Sequence, residues 1–291
     1  MGGLKMMKEA VVLHGVQKHY RDFKLGPLDL TVPAGTIVGL VGENGAGKTT
    51  TLRLLCGVSR PDVGQVTLLG GQPTDAAQRR RIGVVFEDAY FYGTLTARQI
   101  GKSMAGIFGE QWDAARFDGM LDRFGLDPKK KVQSYSRGMR MKLSLATALA
   151  HDPELLVLDE ATAGLDPVVR GEMLDLFLEY IQDERHSILM SSHITSDLEQ
   201  VADSIAYLHH GQLLFHEDKD TLLQEYGLLR CARHDLETLP PDCVVFVREG
   251  AFGCEALVKQ RETVRHLLPG AVCDPAGIDD IMRYYSGRDA Q

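Results

Sequence analysis

Residues 42 to 50, Gly42-Glu43-Asn44-Gly45-Ala46-Gly47-Lys48-Thr49-Thr50, follow an apolar run from Ile37 to Val41 and precede a helical pattern. A glycine, four residues and then Gly-Lys-Thr string backbone N–H groups around an anion at a helix N-terminus, where the dipole favours negative charge. Lys48 is placed to reach the β- and γ-phosphates, and the Thr49 hydroxyl to hold Mg²⁺. The stretch predicts a nucleoside triphosphate site contacted by Gly42, Asn44, Gly45, Gly47, Lys48, Thr49 and Thr50. It also demands a strand before it and a helix after it, which sets the fold class as α/β.

Composition narrows the partners. Of 291 residues, 44% are hydrophobic and 25% charged, an ordinary globular balance. That length suits a main domain plus a smaller one, because single cores stop growing near about 250 residues. The formal net charge of -8 argues against a nucleic-acid-coating protein, whose footprint is a basic surplus. Five cysteines without a C-x-x-C pair lack the spacing of a zinc site or a disulfide framework and read as reduced thiols. No run of about 18 apolar residues exists, and the first ten residues have no apolar signal core. The expectation is a soluble, unexported protein that meets a membrane only through a partner.

Along the chain, residues 8 to 13 and Leu28 to Val32 read as strands by their alternation. Tyr20 lies between them and is expected beside the loop strand, where its ring can stack on a purine or simply pack. Gly57 is suited to end the loop helix. Strands follow at 65 to 69 and 82 to 86, the second ending at Glu87-Asp88. A carboxylate there can touch Mg²⁺ or an attacking water, or remain a solvated loop acid. Thr96-Ala97-Arg98-Gln99 is a capping box, opening a helix with Ile100, Met104, Ile107 and Phe108 on one face. A second helix carries Phe117, Met120, Leu121 and Phe124, with Trp112 packed in this helical insertion. Lys129-Lys130-Lys131 is a solvated turn.

Three further stretches carry chemistry. Tyr135-Ser136-Arg137-Gly138-Met139 opens a long helix, so Ser136 and Gly138 offer either a second anion site or a plain serine cap. Pro153 to Glu160 reads as an apolar strand ending in two acids, Asp159 and Glu160, the arrangement in which an aspartate completes a Mg²⁺ shell. One residue on, Glu160 is positioned to polarise water against a terminal phosphate. Asp166 and Pro167 start the next helix. The buried strand Ser187 to Ser191 then delivers Ser192-His193 at its C-terminal end, where open parallel sheets place ligand chemistry, although a lone histidine is as readily structural.

Order and spacing over residues 8 to 215 resemble the nucleotide-binding subunit of the ATP-binding cassette (ABC) transporters. That resemblance implies a P-loop fold with a mixed-sheet core, an antiparallel β subdomain and a helical signature subdomain at about 90–150. It further implies ATP and Mg²⁺ as ligands, adenine stacking on Tyr20, metal at Thr49 and Asp159, base or water-polarising work at Glu160, and γ-phosphate sensing at His193. Asp166 would lie in a loop crossing a dimer interface. Two stretches depart from the family pattern. Glu87 stands where a glutamine is usual; it can contact Mg²⁺ or water but cannot donate a hydrogen bond when ionised. Arg137 and Met139 replace a glycine and a glutamine of the signature.

The implied partners are a second ATP-binding subunit, whose nucleotide Ser136 would cap, and a transmembrane permease, with no nucleic acid. The signature is similar to those of the exporter-type branch, and the implied location is cytoplasmic, on the inner face of the membrane. A cassette acting on nucleic acid or ribosomes would predict duplicated cassettes, long heptads or a basic surface. A sensor without turnover would need a defective base or metal ligand, yet Asp159 and Glu160 are both present. Residues 1–220 are read as the nucleotide-binding domain and 221–291 as a small α+β accessory region. The tail's hairpin is expected around Glu249-Gly250, and its terminal helix around Ile278, Ile281, Met282 and Tyr285.

Overall fold

Three strands fully buried along their length, Ile37–Val41 (β3), Leu155–Asp159 (β6) and Ser187–Ser192 (β7), form the middle of the molecule. Runs this apolar fit only a parallel sheet covered on both faces. The computed structural model describes residues 9–87, 91–250 and 253–286. In it these strands join Ile82–Val85 (β5), Ser204–His209 (β8) and Gln212–Asp218 (β9) in a six-stranded sheet of order β5-β6-β7-β3-β8-β9, parallel except for β9. Glu9–His19 (β1), Lys24–Pro33 (β2) and Val63–Leu68 (β4) make a separate antiparallel sheet of order β2-β1-β4.

The central strands feed two cores alternately. Val38, Leu40, Leu155, Val157 and Leu189 pack with the antiparallel sheet and helix α1 (Lys48–Leu55). Ile37, Val41, Leu156, Leu158, Ile188 and Met190 face the other way. They meet helices α3 (Ala97–Phe108), α4 (Ala114–Arg123), α5 (Arg137–Leu149), α6 (Pro167–Tyr180) and α7 (Thr195–Val201); a short α2 (Ala76–Arg79) precedes β5. The helical insertion forms as its pattern predicts. Thr96 and Gln99 close the capping box, and the Trp112 ring lies 5.2 Å from that of Phe117.

Several boundaries differ from the sequence reading. β1 runs to His19 rather than stopping at Leu13, because register shifts after Leu13 break the alternation without ending the pairing. β4 spans Val63–Leu68, and β5 stops at Val85, before Phe86. Lys8 and Asp88 lie outside the described residues. Tyr20 does not lie beside the loop strand; it sits in the β1–β2 turn of the other sheet, 48% exposed.

The tail holds more than the expected hairpin and helix. Strands β11 (Val244–Gly250) and β12 (Gly253–Val258) pair as predicted, with the hairpin tip outside the described residues. Gly227–Cys231 (β10) and Val272–Pro275 (β13) complete a sheet of order β11-β12-β10-β13. Helices α8 (Lys219–Glu225), α9 (Arg233–Leu236), α10 (Arg261–Leu267) and α11 (Ile278–Ser286) surround it. β10 and β13 are too short for a period to register. This layer shares the main core: the Tyr285 ring meets Phe215 edge-on at 5.1 Å, and the Ile278 amide donates to Glu199 at 3.1 Å. Tyr285→Ala should therefore cost about 2–5 kcal/mol in urea melts and leave one unfolding transition, since the tail and the α7–β9 side are one packed unit; a separate early transition of the tail would contradict this.

Candidate functional site

Parallel pairing sets the ends of β3, β7 and β6 level. Val41 is opposite Ser192, and Ser191 opposite Asp159. The glycine-rich loop, Ser192-His193 and Asp159-Glu160 thus leave one edge of the sheet together, although they are far apart in the chain. The loop itself is a tight arch: the Ala46 amide donates to Glu43 at 3.1 Å, and the Gly211 amide to Ala46 at 3.0 Å. Gly47, at φ 111°, starts α1, where a Cβ would come within 2.9 Å of the Phe23 ring and 2.7 Å of Leu25. The β1–β2 turn that carries Tyr20 and Phe23 therefore abuts the loop.

Lys48 and Glu160 are buried, at 6% and 7% exposure. The Lys48 ammonium donates to the carbonyl of Gly42 at 2.7 Å and lies 3.1 Å from Glu160 Oε1. That oxygen is buried and accepts no well-formed hydrogen bond among the described residues. The other, Oε2, is 2.7 Å from His193 Nδ1 and accepts from the His193 amide at 3.3 Å. Glu160 holds a left-handed backbone (φ 51°), fixed by its amide donating to the Ser191 carbonyl and hydroxyl, each at 3.1 Å. The Ser191 hydroxyl donates in turn to Asp159 Oδ1 at 2.6 Å. One serine thus orients both acids. The sequence reading placed Ser191 in a buried strand without a role, and a hydroxyl inside so apolar a strand was the available signal.

Thr49 and Thr50 are partly exposed in the first turn of α1, and Asn44 and Gly45 are exposed at the loop crest. The oxygen donors here, the Thr49 hydroxyl and the Asp159 carboxylate, are the chemistry Mg²⁺ takes, and few protein ligands are needed where substrate phosphates supply the rest. Among the described residues no group of three or more His, Cys, Asp or Glu could hold a metal alone. A small hard cation arriving with its anion suits this set.

Ser136 and Gly138 are elsewhere. Ser136 is exposed and caps α5, accepting from the Met139 amide at 3.2 Å; among the described residues it has no hydrogen bond to the loop or the acids. Glu87 is half exposed and pairs with Arg137 at 3.3 Å, a partner the sequence reading did not assign. Asp166 caps α6 through the amides of Val168 and Val169. A buried carboxylate, Asp197, ties α7 to Arg170 of α6, joining the helix after His193 to the helix after Asp166. Finally, an open groove of about 580 Å³ lies between β5 and the helical insertion, lined by Phe86, Phe91, Met104, Phe108 and His151. Burial holds the His151 imidazole below its ordinary range and pushes the Cys56 thiol up to about 12, so both groove residues stay uncharged.

A phosphate loop at the edge of a mixed sheet, a buried lysine against a strand-end glutamate, and an exposed serine-capped helix define a P-loop nucleotide-binding protein. Residues 25–163 match the family model described as ABC transporter. The bacitracin transport ATP-binding protein BcrA of Bacillus licheniformis is 41% identical over 191 residues, 64% of this chain and 62% of that one. The ABC transporter ATP-binding protein NatA of Bacillus subtilis is 33% identical over 206 residues, 68% of this chain and 82% of that one. The chain spans only 55% of a similar Synechocystis protein. A solved structure described as the ATP binding subunit of an ABC transporter superposes with a TM-score of 0.66 at 26% identity, covering 73% of this chain and 91% of that one. The chain belongs to the ABC transporter family, among its ATP-binding proteins. No helix among the described residues is long and apolar enough to cross a membrane.

Ser191→Ala should lower stability by about 1–3 kcal/mol, because it strips a buried carboxylate of its donor and the Glu160 amide of one acceptor. Urea denaturation of the two proteins measures it, and an unchanged midpoint would show that the serine orients nothing.

Proposed function

We propose that the chain binds ATP with Mg²⁺, hydrolyses it to ADP and phosphate, and powers a separate membrane permease by ATP-driven pairing with a second ATP-binding subunit. One observation carries this reading: Glu160 is held between Lys48 and His193 at the strand ends, with one carboxylate oxygen facing the ammonium. A γ-phosphate entering the arch would give Lys48 an anionic acceptor in place of the neutral Gly42 carbonyl it now meets. Glu160, released from Lys48, can accept the proton of a water attacking in line. His193 then contacts the phosphate from the far side of Glu160 and reports its presence. Thr49 and Asp159 would hold Mg²⁺, with Glu87 near through water. The ion supplies charge neutralisation for the triphosphate.

Tyr20 is the adenine-stacking residue in this reading; its exposed ring and the contact of its turn with Gly47 support the role. Ser136, exposed, and Gly138, partly exposed, at the start of α5 cap ATP bound to the other subunit, and Asp166 lies at that interface. The pairing can drive a permease only through the difference in ATP affinity between open and closed states. The groove beside β5, largely apolar with Arg79 on its lining, suits an apolar segment of that permease, which would hold the subunit peripherally on the cytoplasmic face of the membrane. Relatives named for bacitracin transport and daunorubicin resistance favour the exporter-type branch. Residues 1–220 form the nucleotide-binding domain in this reading and 221–291 an accessory region.

Glu160→Gln should keep ATP binding, lower phosphate release about 100-fold or more, and accumulate an ATP-bound dimer in size-exclusion runs. Turnover at the native rate would remove Glu160 from the base role.

A further inference from the structure

Two of the three residues that depart from the family pattern, Glu87 and Arg137, face each other. Arg137 Nη2 lies 3.3 Å from Glu87 Oε1, joining the exit of β5 to the first residue of α5, fifty positions on in the chain. The same guanidinium lies over Gly164 in the loop between β6 and α6, where a Cβ would stand 2.9 Å from Nη1. Arg137 therefore sits where three loops meet: the one behind Glu87, the start of the Ser136 helix, and the segment running from Glu160 to Asp166.

The pair is poised to exchange partners. Both side chains are about half exposed, 49% and 50%, and the contact is long for a charge-assisted hydrogen bond, so solvent and salt screen it. A triphosphate offers several anionic oxygens in a geometry that a guanidinium grips bidentately, a better partner than one half-solvated carboxylate. Arg137 directly follows Ser136, so any triphosphate the serine meets comes within the arginine's reach.

We propose that Arg137 is a nucleotide-operated clasp: it neutralises Glu87 in the separate subunit and moves to the triphosphate held by a second subunit when the two close, releasing Glu87. Arg137 thereby becomes a phosphate-contacting residue supplied in trans. Glu87 loses its counter-ion at the moment its own site is completed, which ties the strand leading to the groove to nucleotide capture. The inference rests on the two-subunit reading above.

The test uses the full chain carrying Glu160→Gln, with ATP and Mg²⁺, and measures by analytical ultracentrifugation the ATP concentration that gives half-maximal dimer. Arg137→Ala in that background should raise the concentration about tenfold through loss of a charge-assisted phosphate contact, and Arg137→Lys should raise it less. Glu87→Gln should lower it, because the competitor for Arg137 is gone while a neutral oxygen remains. With Arg137→Ala already present, Glu87→Gln should change nothing further. Arg137→Ala dimerising at the parent's ATP concentration, or Glu87→Gln without effect when Arg137 is intact, would overturn the clasp alone. A parent that stays monomeric at saturating ATP would overturn the two-subunit reading and the clasp with it.

Discussion

A carboxylate and an ammonium buried together at the edge of the sheet govern how this molecule is built. Removing Lys48 and Glu160 from water costs several kcal/mol per ion, and mutual attraction offsets that only where further hydrogen bonds complete both groups. The completion here is partial. Lys48 leans on the loop's own carbonyls, Glu160 on His193, and one Glu160 oxygen is left without an aligned donor. A fully satisfied pair would be inert. This one leaves the Lys48 ammonium on neutral loop carbonyls and an imperfect carboxylate contact, so a phosphate in the loop would give Lys48 a better partner and free Glu160 to accept a proton, instead of disrupting a finished network.

Holding that pair requires a rigid sheet, which is why so much of the chain serves three strand ends. The register of β3, β6 and β7 is fixed because each strand is buried on both faces and alternate residues enter different cores; sliding any strand by one residue would exchange the two sets. The left-handed backbone at Glu160 is a local cost that such a scaffold can sustain. It turns the side chain back toward Lys48, as a continuing extended strand would not.

The features legible in the sequence were those with local causes. The loop, the capping box at Thr96, the Ser136 and Asp166 caps, and the apolar strands ending at Asp159 and Ser192 each follow from spacing within a few residues. The contacts that escaped depend on sheet order. Nothing within thirty residues of Asp159 in the chain announces that Ser191 will bond to it, since the link exists only because β6 and β7 are neighbours. Arg137 reaching Glu87 is likewise a product of α5 returning alongside β5. Tyr20 was misplaced for a related reason: the strand before it belongs to the antiparallel sheet, not to the sheet that holds β3, and runs past its register shifts to His19. In the tail, β10 and β13 pair through four or five residues each, too few for any period to emerge.

The placement of Ser136 bears on how nucleotide chemistry can become motion. Among the described residues the serine is exposed and bonds only within its own helix. In the proposed pairing, the free energy of its contact with a second subunit's phosphate would be available only on association, and its loss on hydrolysis would favour separation. Arg170 and Asp197 bear on the same step. Their link ties the helix after His193 to the helix after Asp166, so in the proposed cycle a shift at the phosphate would have a direct connection to the face that a second subunit would meet. A chain with the serine folded over its own loop could bind and cleave ATP, but it would have no means of turning that cleavage into the parting of two bodies.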